Sequence, residues 1–265
     1  MRDLPVRGPG VSELALRLPP SRMPPLHARR PLKRWRYVAV YRPDVMLCVG
    51  EAHVAGIRQR WWAVALPDGS LFEGKRGVSV DPRRAQVRGV LDLELSRPQG
   101  VEVVSPHGRS YVWTQKLAPV HVRGTVTAGG HTFELDGDDG FVDESAGYHA
   151  RHTAWRWSAG IGRAADGSAV AWNLVDGVHD TLENSERTLW IDGVAREVAP
   201  QEFADDLSRV GDLDFREWSA REASRNLVVM RNRYRQPFGE FTGTLPGGLA
   251  LAEGFGVMEE HDVLW

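Results

Sequence analysis

The chain predicts an antiparallel, almost all-β protein, and three observations carry that prediction. Apolar and aromatic residues alternate with polar ones at period two along most of its length. Asp-Gly turn pairs recur between the alternating runs, at Asp68-Gly69, Asp166-Gly167 and Asp192-Gly193. No amphipathic stretch with helical periodicity exceeds about three turns. The 28 glycines suit many tight turns. About thirteen strands are too many for a small eight-stranded barrel, so two barrel or sandwich units packed together are expected.

In order along the chain, residues 1–30 are rich in Pro and Arg and read as an extended N-terminal arm, with one short helical turn around Glu13 to Leu16. Ordered β-structure begins at Lys33, where Trp35, Tyr37, Ala39 and Tyr41 share one face of a strand. Further strands are expected at 45–54, 59–66, 87–95, 110–117, 119–127 and 131–136. The polar run Asp136-Gly137-Asp138-Asp139-Gly140 divides a first unit, 31–136, from a second, 137–265. The second unit holds strands at 153–162, 168–176, 186–191, 213–219, 225–235, 237–245 and 248–258. Short helices are candidates only at 200–207 and 219–224. The terminal Trp265 reads as a latch on a barrel end.

Composition excludes several classes of function. The 33 basic and 35 acidic residues leave a formal charge of −2, without the positive field of a nucleic-acid binder. No segment approaches the roughly 20 apolar residues of a membrane span, and the N-terminus lacks a secretory core. The lone Cys48 lies in an apolar run and reads as a small buried hydrophobe. A cytoplasmic protein is expected. There is no Gly-rich phosphate loop before a helix and no Gly-x-Ser-x-Gly elbow.

Candidate chemistry concentrates between Asp143 and Trp157. Asp143, Glu144, His149, Arg151 and His152 supply acids, bases and a cation, and Trp155 and Trp157 supply aromatic surface. On a strand, Thr153, Trp155, Trp157 and Ala159 share one face, either filling a core or forming an aromatic wall for a ligand. Asn173, on a face of small residues, suits either a hydrogen bond to a ligand or closure of a strand end. Glu183 and Asn184 follow one hairpin later. Asp143 serves as a turn cap or, if buried, as a proton donor, and Glu186 pairs with Arg187 or Arg196. His149 and His152 point apart on a strand, and no Cys-rich or His-x-Glu pattern completes a metal site, so no metal ligand is assigned. Arg231, Arg233 and Arg235 read as a solvated strand face.

In sequence order, Lys33-Arg34-Trp35-Arg36-Tyr37, the Asp143–Trp157 segment, Trp172-Asn173-Leu174, Glu183-Asn184, Leu189-Trp190-Ile191-Asp192-Gly193 and Gly256-Val257-Met258-Glu259-Glu260-His261 resemble the bacterial family catalogued as domain of unknown function 2804. The resemblance runs from about residue 30 to the C-terminus. It implies two calycin-like (lipocalin-like) barrel units, a layout similar to that of carotenoid hydratases and tocopherol cyclase. Those proteins bind hydrophobic isoprenoids and work without a metal or nucleotide cofactor.

The expected function is binding of a small apolar molecule, a lipid or isoprenoid-like compound, with no cofactor. The chemistry is that of a lyase or hydratase, a cyclase or an isomerase; the alternative is a non-catalytic lipid or metabolite carrier. In the enzyme reading Asp143 or Glu183 donates a proton, His149 or His152 accepts one, and Arg151 holds an oxygen. Trp155 and Trp157 flank a developing cation. Tyr37, Asn173 and Asn184 complete the expected ligand contacts.

Overall fold

The structure, a computed structural model, describes residues 4–54, 56–227 and 230–264. Strand makes up 65% of it and helix 2%, which settles the all-β class. Three two-residue pieces lie in the arm: β1 (Val6–Arg7), β2 (Leu26–His27) and β3 (Arg30–Pro31). The first sheet contains β4 (Lys33–Tyr41), β5 (Met46–Val54), β6 (Ile57–Ala65), β7 (Leu71–Gly74) and β8 (Val78–Val80). It continues with β9 (Arg84–Val87), β10 (Leu91–Leu95), β11 (Val101–His107), β12 (Ser110–Ala128) and β13 (His131–Gly147). The second contains β14 (His152–Ala164), β15 (Ala169–Asp176), β16 (Thr188–Ile191) and β17 (Val194–Glu197). It ends with β18 (Arg209–Val210), β19 (Leu213–Leu227), β20 (Met230–Leu245) and β21 (Leu249–Leu264).

The two sheets repeat one topology. The first runs β7-β6-β5-β4-β13-β12-β10-β9-β8 and the second β17-β16-β15-β14-β21-β20-β19-β18. In each, three strands step outward from the first long strand, and the last strand returns to pair with that first one, β13 with β4 and β21 with β14. All these pairings are antiparallel, and each sheet curls into a half-barrel, consistent with two calycin-like units. β11, paired with β12 and with β1 of the arm, has no counterpart among the described residues of the second unit.

Several expected elements differ in extent. Residues 110–117 and 119–127 form one strand, β12, with a register shift between Leu117 and Val120. That bulge moves the inward side from odd to even positions, so Leu117 and Val120 both face the first core. Residues 87–95 split into β9 and β10 around Gly89, whose φ is +76°. The polar run 136–140 lies inside β13, where Gly137, at φ +87°, takes up a bulge opposite Val122 and Arg123. The chain crosses between sheets at 148–151. The short helices considered at 200–207 and 219–224 do not form. Phe203 and Leu207 anchor the first segment to the second core through side chains, and the second lies within β19, paired to β20. A 3-10 turn occupies Gly8–Glu13 instead of 13–16. Trp265 lies outside the described residues.

Each half-barrel buries its own core, around Val38, Leu47, Leu93 and Val122 in the first and Trp172, Leu174, Phe241 and Met258 in the second. A third apolar cluster joins them. There Tyr37, Ala39, Cys48 and Phe141 of the first sheet meet Trp157, Ala159, Trp190 and Val257 of the second. The arm packs Val11 and Met23 on Tyr111, Trp113 and Tyr148. Among the described residues no helix is long and apolar enough to cross a membrane.

Candidate active site

The seam between the half-barrels is apolar at one end and polar at the other. Period-two alternation sets this up: on β4 the residues facing the second sheet are Lys33, Trp35, Tyr37, Ala39 and Tyr41, and on β14 they are Thr153, Trp155, Trp157, Ala159 and Ile161. The polar end contains two similar constellations, one from each unit.

In the first, Asp143 on β13 lies between the strands that pair with it. Its Oδ1 accepts from Lys116 Nζ at 2.5 Å, and its Oδ2 accepts from Trp35 Nε1 at 3.3 Å. Lys116 also reaches Glu186 Oε1 of the second unit, at 3.3 Å, and stands over the Trp157 ring, 6.0 Å from its centroid. Burial works against the Lys116 ammonium, but the two carboxylates outweigh it and its pKa rises. Burial, against the pull of Lys116 and together with the Glu186 charge, raises Asp143.

In the second, Glu259 on β21 accepts from Trp155 Nε1 at 2.8 Å through Oε1 and from Gln236 Nε2 at 2.8 Å through Oε2. Burial pushes Glu259 up to about 7, opposed by the Trp155 bond and reinforced by the charge of Asp143. The constellations meet through first-unit residues: Tyr37 and Tyr41 share a hydroxyl contact of 3.1 Å, and Cys48 Sγ lies 3.8 Å from Gln236 Oε1. A line of rings crosses the rim, with Tyr234 on His261, His261 on Trp155, Trp155 parallel to Trp35, and Trp35 on His149.

The loop 177–187 closes the polar end from the second unit. Arg187 holds it by donating to the carbonyls of Asp180, Thr181 and Val198. His179, in the left-handed region at φ +53°, inserts its ring against Ser105, with Nδ1 2.9 Å from the Ser105 hydroxyl. Neither ring nitrogen of His149, nor His179 Nε2, nor Glu186 Oε2 makes a hydrogen bond to protein, although all are buried. Burial, followed by the charges of Lys116 and His107, lowers His179 to about 3, and burial beside Lys33 holds His149 well below the usual imidazole range. Burial and then Arg30 lower Lys33 to about 7.

Among the residues expected from sequence, Asp143, His149, Trp155, Trp157, Tyr37 and Asn173 all face this seam. Asn173 spends its amide on protein, accepting from Trp157 Nε1 at 2.7 Å and donating to the Glu186 carbonyl at 2.8 Å. Glu144, one residue from Asp143, points to the other face and pairs with Arg36 and Arg97. Arg151, Glu183 and Asn184 are exposed. His152 is exposed as well and pairs with Asp262 at 2.9 Å. Asp143 is a mid-strand residue instead of a turn cap, and Glu186 pairs with Lys116 instead of Arg187 or Arg196, because its side chain turns into the seam. Arg231, Arg233 and Arg235 pair with surface carboxylates, as a solvated face does.

Lys116, Gln236, Glu259, Glu186 and His179 are site residues that pattern reading missed. Lys116 carried a signal: it lies between Thr114 and Ala118 on the buried, seam-facing side of β12. Glu259 falls one residue past the expected end of its strand. Two open depressions, one at Trp62 and Arg88 and one at Arg60, Gln86 and Asp92, lie on the first unit and involve none of the seam residues. Among the described residues no group of three or more His, Cys, Asp or Glu side chains is arranged to hold a metal ion.

Comparison with solved structures finds a candidate AttH from Nitrosomonas europaea, 13% identical, with a TM-score of 0.44 over 93% of this chain and 99% of that one. CghA bound to Sch210972 is 11% identical, with a TM-score of 0.42 over 95% of each chain. Kievitone hydratase from Nectria haematococca is 8% identical, with a TM-score of 0.44 over 86% of this chain and 88% of that one. No curated protein sequence matches. The family described as domain of unknown function DUF2804 matches over residues 69–265, most of the chain, and the protein belongs to it.

Proposed function

We propose that the seam is an active site for cofactor-independent acid–base chemistry on a small, largely apolar molecule, of the lyase or hydratase, cyclase or isomerase type. One observation carries this reading: two buried carboxyls, Asp143 and Glu259, stand on facing sheets, each oriented by an indole N–H, with apolar surface beside them. Carboxyls raised by burial are suited to exchanging protons near neutral pH. Trp155 and Trp157 present indole surface beside the carboxyls, which suits positive charge developing on a ligand. Trp35 and Trp155, only partly buried at the rim, mark the route a ligand takes in this reading. The one thiol, Cys48, is buried and free, which supports work in the reducing cytoplasm.

The test is solvent extraction of the native protein with mass spectrometry, followed by incubation of the extracted compound with enzyme in D2O. A stoichiometric apolar compound that gains deuterium on carbon is the expected result. Asp143→Asn is expected to abolish that gain without unfolding the protein. A bound compound that gains no deuterium makes the protein a carrier, and an empty extract removes the tight-binding site.

A further inference from the structure

We infer that Glu259 is the proton donor of the seam and Asp143 its ionised counterpart, a division of roles set by the second donor that each carboxyl receives in two similar constellations. This rests on reading the seam as an acid–base site. Asp143 and Glu259 occupy equivalent places, each on the last strand of its unit and paired to the first: Asp143 lies opposite Tyr37 on β4, and Glu259 opposite Trp157 on β14. Each accepts from a tryptophan two residues earlier on that first strand, Trp35 and Trp155. Each accepts a second N–H from the preceding long strand, β12 or β20. That second donor is where they differ. In the first unit it is the Lys116 ammonium and in the second the neutral Gln236 amide.

Charge follows from this difference. An ammonium at 2.5 Å favours the carboxylate form of Asp143 and opposes the burial that raises it, whereas an amide leaves a buried carboxyl to hold its proton. Among the described residues no cation lies at hydrogen-bond distance from Glu259; the Tyr234 hydroxyl bonds to it and the more distant Arg221 charge acts on it, both opposing the burial that raises it. Asp143, Tyr41 and Cys48 lie across the seam, and Tyr234 and Arg221 are on its own sheet, with Arg221 donating to the Tyr234 hydroxyl at 3.2 Å. The raised pKa of Glu259 agrees with this geometry.

The roles name a substrate class: an apolar alkene whose protonation gives a tertiary carbocation. Glu259 gives its proton to one alkene carbon, the new C–H bond taking the π electrons, and the adjacent carbon becomes cationic beside the indoles. In isomerisation a neighbouring C–H bond then breaks, its electrons form the shifted double bond, and its proton goes to the Asp143 carboxylate. In hydration a water oxygen bonds to the cation and the water's proton goes to Asp143. Return of that proton to Glu259 completes either cycle with no redox partner.

Dicyclohexylcarbodiimide tests this without a known substrate, because it is apolar and modifies protonated carboxyls. The proton moves to a carbodiimide nitrogen and the carboxylate adds to its central carbon, giving a stable N-acylurea after rearrangement. Peptide mapping of the full chain is expected to place the adduct on Glu259 at pH 6, with little on Asp143. With a pKa of about 7, labelling falls about 30-fold between pH 6 and pH 8.5. Glu259→Gln is expected to lose the adduct, and Gln236→Lys to reduce labelling at pH 7 about tenfold. An adduct on Asp143 in place of Glu259, or Glu259 labelling that is flat from pH 6 to 8.5, overturns the assignment of roles while leaving an apolar site. No adduct on either carboxyl in the folded protein, with both labelled in urea, shows that apolar molecules do not reach the seam. That outcome removes the site reading together with the assignment.

Discussion

The two half-barrels share a strand order and place a tryptophan and a carboxyl at matching points, yet they treat those carboxyls differently. The first unit surrounds Asp143 with charge: the Lys116 ammonium, a second carboxylate from Glu186, and an imidazole-rich flank of His149 and His179. The second surrounds Glu259 with neutral donors, the Trp155 indole and the Gln236 amide. A repeated fold therefore supplies two equivalent positions, and single residues on the penultimate long strand set their electrostatics. The sharpest ways to break this comparison act on those residues.

The largest effect is expected from Lys116. Lys116→Met leaves Asp143 and Glu186 buried without their shared cation, which costs about 3–5 kcal/mol. The matching change, Gln236→Met, removes one neutral hydrogen bond to Glu259 and costs about 1–3 kcal/mol. Urea denaturation of both variants measures the difference. Equal losses would mean that the two constellations are energetically alike and that the charge at Lys116 is not decisive.

The next effect is a pH slope. Glu259 is raised in the folded chain, so between about pH 4.5 and 7 the unfolded state gives up this proton while the folded state keeps it. Stability from this group is therefore present at low pH and falls as pH rises through that window, by on the order of 3 kcal/mol. His179 acts in the opposite sense. Depressed to about 3, it stays neutral when folded, while the unfolded chain takes up its proton below about 6.5, so its contribution is lost as pH falls. Because the windows overlap, the measurement is the wild-type-minus-Glu259→Gln difference in unfolding free energy at pH 5 and pH 8. A difference that does not change with pH would show that Glu259 titrates normally.

Local patterns carried the strands and one face of the site, because alternation is a short-range signal. Trp155, Trp157 and Tyr37 fall on inward faces that β14 and β4 reveal without reference to any partner strand. Asn173 is placed inward by the same logic, though not its bond to Trp157, which depends on register. Lys116 opposite Asp143 follows from the β12–β13 register, which a single strand does not reveal. Glu186 and His179 arrive on a loop from the other unit, where no periodicity applies. The charged residues that crowd the sequence near Asp143 mislead for a related reason: Glu144 and His152 are neighbours in sequence, but side-chain direction sends them to other faces. The polar run at 136–140, read as the division between the units, is part of a bulged strand, since Gly137 lets β13 bend without breaking.

Packing gives a third contrast between the units. Gly50 in the first and Gly160 in the second each sit opposite a tryptophan in register, Trp61 and Trp172, and a Cβ at either position would drive into the indole. Trp172 is fully buried against Phe241 and bonded to Ser158, whereas Trp61 is half-buried. Gly160→Ala is therefore expected to cost about 1–3 kcal/mol, as overpacking does, and Gly50→Ala less, because its indole can swing outward. Thermal unfolding of the two variants decides it, and a larger loss at Gly50 would show that Trp61 is as fixed as Trp172.

The smallest expected effect separates His149 from His152, three residues apart at the junction of the units. His152 is exposed and its pairing with Asp262 is a surface contact, so His152→Ala should change stability by less than about 1 kcal/mol. His149 is enclosed by Trp35, His107 and Lys33 with neither nitrogen bonded to protein. Replacing it with Phe keeps the ring packing and removes two unsatisfied polar atoms, so this variant should unfold at the same or a higher denaturant concentration than wild type. If it also retains the chemistry, His149 fills space beside the site. If it is stable and inactive, the two orphaned nitrogens serve the ligand, and the polar end of the seam extends from the carboxyl pair to the imidazoles.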